Sequence, residues 1–139
     1  MGFDAMGAMT SGLAGAAFGS GALKSNTEAS FNTAVGYEAM ALTTTGGSNT
    51  ALGKGALYAN TTGTRNLAIG FGAYDASDTE NDNIAIGYDA MTTNTAGGEK
   101  NVALGNYALD ALTSGDFNVA VGYDAVSYTH LTLPTILLV

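Results

Sequence analysis

The sequence predicts an all-β fold, a parallel β-solenoid of about eight 17-residue coils. Three observations predict it: a near-constant repeat, a glycine at one place in every copy, and short β-branched segments bounded by turn residues. Copies begin at Asn32, Asn49, Asn66, Asn83, Asn101 and Asn118, spaced by 17, 17, 17, 18 and 17 residues. Gly15 stands in the asparagine place of "GAAFGSGAL", and the chain opens within a copy at "GFDAM". Gly2, Gly19, Gly36, Gly53, Gly70, Gly87, Gly105 and Gly122 then align, each followed three residues later by alanine. Internal repetition of this kind marks units that bury their surfaces only against neighbouring copies.

The first element of each copy is a strand. "TAVG" and "LAIG" are short, apolar and closed by glycine, the pattern of a strand running into a turn. A helix is excluded by the glycine in every copy and by polar stretches such as "TTTGG" and "TAGG", which make poor helix interiors. At about 3.3 Å per residue, one copy has room for two short strands and two turns. Parallel coils then stack about 4.8 Å apart.

Stacking assigns roles by position. The asparagines are expected to form an amide ladder, each side chain bonding the next. Gly19, Gly36, Gly53, Gly70, Gly87, Gly105 and Gly122 are expected where the chain needs a positive φ or close backbone approach. Period-two alternation puts Thr33 with Val35, Leu67 with Ile69 and Ile84 with Ile86 on one face, and Ala34 with Gly36 on the other. The Val35 face is taken as the interior, the reverse assignment being the alternative. Two residues past the glycine, Asp4, Glu38, Asp89 and Asp124 never fall in consecutive copies, as like charges stacked in parallel register would require.

After Val126 the frame stops. Residues 1–126 form the repeat region, and 127–139, "SYTHLTLPTILLV", hold the only histidine and the only proline. The tail resembles the translation of a sequencing adapter and is then no part of the fold, a segment capping the solenoid being the alternative. The repeat region is accordingly expected to be a fragment open at both ends.

Composition removes whole classes of function. The net charge is −8, and the only cations are Lys24, Lys54, Arg65 and Lys100, too few for the basic stripe that nucleic acid demands. There is no cysteine, no signal peptide, and no apolar run near the roughly 18 residues of a membrane span, so no membrane insertion is expected of this segment. Lacking a histidine within the repeats, the chain offers no nucleophile-and-base constellation, and it is read as a non-enzyme with no cofactor. One acidic cluster, Asp78, Glu80 and Asp82 in "DASDTENDN", is a weak calcium candidate weighed against a solvated turn. Thr10, Thr27, Thr44, Thr61, Thr95 and Thr113 share one position, and such a ladder would either bind ice or a glycan or close a turn. Tyr37, Phe71, Tyr88 and Tyr123, beside the repeat glycine, would stack on saccharides or pack between chains.

"NTAVGYEAM", "NTALGKGAL", "NLAIGFGAY" and "NVAVGYDAV" resemble the repeats of bacteriophage tail-fibre proteins and are similar to the shorter head repeats of trimeric autotransporter adhesins. The resemblance covers residues 2–126. It implies a left-handed parallel β-roll, three chains side by side, forming a rigid shaft or head on a virion tail fibre or a bacterial cell surface. Its implied partners are two further copies of the chain and a host-surface glycan or receptor at the far end. Independent of the resemblance, a roll so thin leaves Tyr37, Tyr88 and Leu42 in need of cover, which also predicts a homotrimer.

Overall fold

The computed structural model describes residues 2–13, 15–93 and 97–127. Seven three-residue strands, β1 (Ala16–Phe18), β2 (Thr33–Val35), β3 (Thr50–Leu52), β4 (Leu67–Ile69), β5 (Ile84–Ile86), β6 (Val102–Leu104) and β7 (Val119–Val121), lie in chain order in one parallel sheet. The register is one copy per step: Ala34 pairs with Ala51, Ala51 with Ala68, Ala68 with Ala85. No helix occurs among the described residues. The fold is a parallel β-solenoid of about six turns between β1 and β7. The segment from Gly2 is laid on it in frame, with Met6 N–H donating to Ala22 C=O at 2.9 Å and Thr10 N–H to Thr27 C=O at 2.9 Å.

The inside of the roll corrects the expected facing. Ala34, Ala51, Ala68, Ala85 and Ala103 are wholly buried, whereas Thr33, Thr50, Leu52, Val119 and Val121 face outward. Opposite the strands stand Leu23, Met40, Leu57, Tyr74 and Met91, all wholly buried, with Ala39, Ala56, Ala73 and Ala90 beside them. A coil this short encloses one large side chain per layer. That chain comes from the wall facing the sheet, so the strand can contribute only a methyl group.

The second predicted strand is absent among the described residues, and the backbone angles say why. In each coil the residues two and four places past the glycine are left-handed, as at Glu38 (φ 54°) and Met40 (φ 51°), Asp89 (φ 48°) and Met91 (φ 56°). Alternation of this kind curls the chain into turns, yet the intercoil bonds persist: Leu23 N–H donates to Ala39 C=O at 3.0 Å, Met40 to Ala56 at 2.9 Å, Leu57 to Ala73 at 3.0 Å. A bulky left-handed residue costs about 1–3 kcal/mol. Burying the Leu or Met side chain that it carries returns about 1.5–3 kcal/mol, so packing offsets the strain.

At the repeat glycine both expected reasons operate together. Gly70 has φ 138°, and a Cβ placed there would lie 2.1 Å from the Gly87 carbonyl oxygen. From Gly19 to Gly105 the column therefore accepts no side chain.

Candidate functional site

The distinctive chemistry of the solenoid is a set of side-chain files running along the axis. The asparagine file is the most deeply placed. Asn32, Asn49, Asn66, Asn83 and Asn101 are buried, and each side chain bridges two pieces of backbone. Asn49 Oδ1 accepts from the Asn66 N–H at 2.9 Å while its Nδ2 donates to Gly63 C=O at 2.8 Å. Asn66 repeats this with Asn83 N–H at 2.9 Å and Glu80 C=O at 2.7 Å. The expected amide-to-amide ladder is thus replaced by an amide-to-backbone one; a side chain-to-side chain bond occurs between Asn118 Nδ2 and Asn101 Oδ1, 3.0 Å. Backbone groups at the bend into the strand would otherwise be buried unpaired, and the amide supplies both a donor and an acceptor there.

The threonine file lies at the far corner. Thr10 Oγ1 donates to Thr27 C=O at 2.9 Å, Thr27 to Thr44 at 3.2 Å, and Thr44 to Thr61 at 3.1 Å. Each of these hydroxyl protons points along the axis into the next coil. Thr113 is exposed, and Thr95 lies outside the described residues.

The three acids proposed for a cation have three separate partners. Asp78 accepts from the Thr61 hydroxyl. Asp82 pairs with Arg65 through Nε at 2.6 Å and Nη2 at 2.8 Å, and that guanidinium holds the Asp82 carboxyl below the usual range. Glu80 is buried, its Oε2 accepting from the N–H groups of Asp78 at 2.8 Å and Thr79 at 3.0 Å, its Oε1 from Gly97 at 3.1 Å. No group of three metal-ligating acids, histidines or cysteines converges among the described residues.

Glu80 went unrecognised as a structural residue in the sequence. It occupies the place of Gly46 and Gly63, one copy before the 18-residue spacing, and its carboxylate bonds the coil that carries the extra residue. A glutamate in a glycine column next to the one irregular spacing was the available signal. Also unrecognised was a file through Thr64, Asn81 and Glu99. Thr64 N–H and Oγ1 donate to Asn81 Oδ1 at 2.8 and 2.7 Å, and Asn81 Nδ2 donates to Glu99 Oε1 at 2.9 Å.

The spaced acids owe their spacing to shape as well as charge. A Cβ on Gly72 would meet Asp89 Oδ1 at 2.3 Å, and one on Gly21 would meet Glu38 Cγ at 3.2 Å. Each of these two acids folds over the glycine of the coil before. Glu38 is further matched by Lys24 Nζ at 3.2 Å. Burial, then the neighbouring Asp110, pushes the Asp89 carboxyl up; burial, then Asp89, does the same to Asp75.

The aromatic residues beside the glycine form a file of their own on the outer surface. Phe71 and Tyr88 stack at 5.2 Å between centroids with 9° between their planes, so each ring covers a face of the other. Lys54 Nζ lies 5.1 Å from the Phe71 centroid and 5.9 Å from that of Tyr37. Compared with family models, curated proteins and solved structures, the chain matches none. Among the described residues no helix is long and apolar enough to cross a membrane.

Proposed function

We propose that the repeat region is a structural segment of an adhesive fibre, a rigid shaft or head assembled from three parallel copies of the chain. The fibre would belong to a phage tail or a bacterial surface and would carry recognition of a glycan or receptor at its far end. The observation that carries this reading is the outward face of the sheet. Phe18, Leu52, Val119 and Val121 are between 45% and 70% exposed there, and Ile69, Ile86 and Leu104 are only half-buried. A continuous apolar face of this kind is uncommon on a monomer and marks a surface that meets a partner.

The partner is argued from the grading of that face. Its lower rows carry Ala16, Thr33 and Thr50; the corresponding upper rows carry Leu67, Ile84, Val102 and Val119. A second copy lying parallel and in register sets apolar against apolar over the upper half. An antiparallel copy would set Val102 and Val119 against Thr33 and Ala16 and forfeit the match in that column, while the column of third residues, Phe18 to Val121, is apolar throughout. Arg65, Asp82 and Lys100 line one margin between the exposed Phe31 and Phe117, and the aromatic file lines the other.

Sedimentation of the full chain tests the assembly. The expected mass is that of three copies, reduced to one by the double substitution Ile69→Glu and Ile86→Glu with the circular dichroism unchanged. A folded, stable monomer of the unsubstituted chain would refute it.

A further inference from the structure

The aromatic file continues further than its repeat position allows. At the copy starting with Asn101 the residue after the glycine is Asn106, which has no ring, and the break is filled by its neighbour Tyr107. Tyr107 meets Tyr88 edge-on at 5.4 Å between centroids (64° between planes) and Tyr123 edge-on at 5.7 Å (79°). With Lys54 bridging Tyr37 and Phe71, the side chains of Tyr37, Lys54, Phe71, Tyr88, Tyr107 and Tyr123 form one file across six successive coils. Only its upper end places phenol against phenol.

We infer that Tyr107 is a site of oxidative modification, where a one-electron oxidant joins it to Tyr88 or Tyr123 through a dityrosine bond that staples adjacent coils within one chain. Edge-on contact brings the ring-edge carbons of one phenol against its neighbour, and those beside the hydroxyl are the carbons that couple. Each phenol gives one electron to the oxidant and its hydroxyl proton to a base. The two phenoxyl radicals then form a carbon–carbon bond at their ortho positions. The two ortho hydrogens move as protons, through solvent, onto the oxygens and restore both aromatic rings. With hydrogen peroxide and a peroxidase as the oxidising system, the two electrons and two protons reduce one peroxide to two waters.

The surroundings suit the proton step. The Asp89 carboxyl adjoins Tyr88 and feels its phenol, so a proton acceptor stands beside the file. Glycan stacking is a poorer use of the same rings, because the faces of Phe71 and Tyr88 are turned onto each other rather than outward.

The test is peroxidase and hydrogen peroxide on the full chain, followed by dityrosine fluorescence, a denaturing gel and peptide mapping. The expected product runs as a single chain and joins the Tyr107 peptide to that of Tyr88 or Tyr123. Tyr107→Phe keeps the ring contacts, and hence the fold by circular dichroism, but reduces the intrachain product to background. Tyr58→Phe, outside the file, leaves the yield unchanged, and Tyr88→Phe diverts the bond to Tyr123. Undiminished intrachain product in Tyr107→Phe, or products in the unsubstituted chain that join only separate chains, would overturn the assignment. Because the readout is a bond within one chain, it stands apart from whether copies associate.

Discussion

The inner and outer rows of the same strands follow opposite rules. Inward, the middle residue of β1 through β7 is alanine seven times over, Ala17, Ala34, Ala51, Ala68, Ala85, Ala103 and Ala120. Outward, the third residue varies through Phe18, Val35, Leu52, Ile69, Ile86, Leu104 and Val121. Inside, each residue must fit its own equivalents above and below and a large side chain opposite. Outside, nothing within the chain fixes its volume, only its apolar character. Strict repetition therefore marks the parts that the chain completes by itself.

That contrast can be broken most severely at the glycine column. Gly70→Val sets branched carbon into the Gly87 carbonyl and a β-branched residue at φ 138°, so the variant is expected to lose the cooperative unfolding transition altogether. A transition retained near that of the parent chain would contradict the close approach. Next comes the asparagine file. Asn66→Ala leaves the Asn83 N–H and Glu80 C=O buried without their partner, and unfolding in urea should show a loss of about 2–4 kcal/mol. The direct comparison of the two strand faces follows. Ala85→Leu, inward, is expected to cost about 1–3 kcal/mol by overpacking. Ile86→Thr, one residue on and outward, should cost less than about 1 kcal/mol when measured on the dissociated chain. Equal losses at both would erase the distinction.

The smallest effect is electrostatic. Asp75 and Asp89 have raised folded pKa values, so they favour the protonated form and add stability as pH falls through those values toward the ordinary 3.8. Asp82 and Glu99 are held low by Arg65 and Asn81, and the stability they contribute is lost only below the ordinary carboxylate range. Thermal unfolding against pH is expected to rise on mild acidification and then fall. In Asp89→Asn the rise should flatten and the neutral-pH midpoint should increase; a steeper rise would reverse the assigned sign.

Much of this architecture was legible because stacking writes itself as period. The copy starts, the glycine column and parallel register all follow from spacing, and the structure carries them. The facing of the strand was not legible, since Ala34 and Val35 are both apolar and only the size of Met40 on the opposite wall decides between them. Left-handed residues such as Met40 and Leu57 were equally hidden: nothing in a methionine or a leucine announces a positive φ, which only its burial offsets. The candidate cation cluster looked convergent in sequence because Asp78, Glu80 and Asp82 alternate. Each instead finds a partner in another direction.

In-register pairing at one copy per step means that the strand backbone of each coil offers its successor the same ladder of donors and acceptors. Recombination between copies within a gene would then lengthen or shorten the rod by whole layers, leaving the backbone ladder of each new junction intact. Rod height becomes a quantity that heredity can adjust in single increments without redesigning a residue.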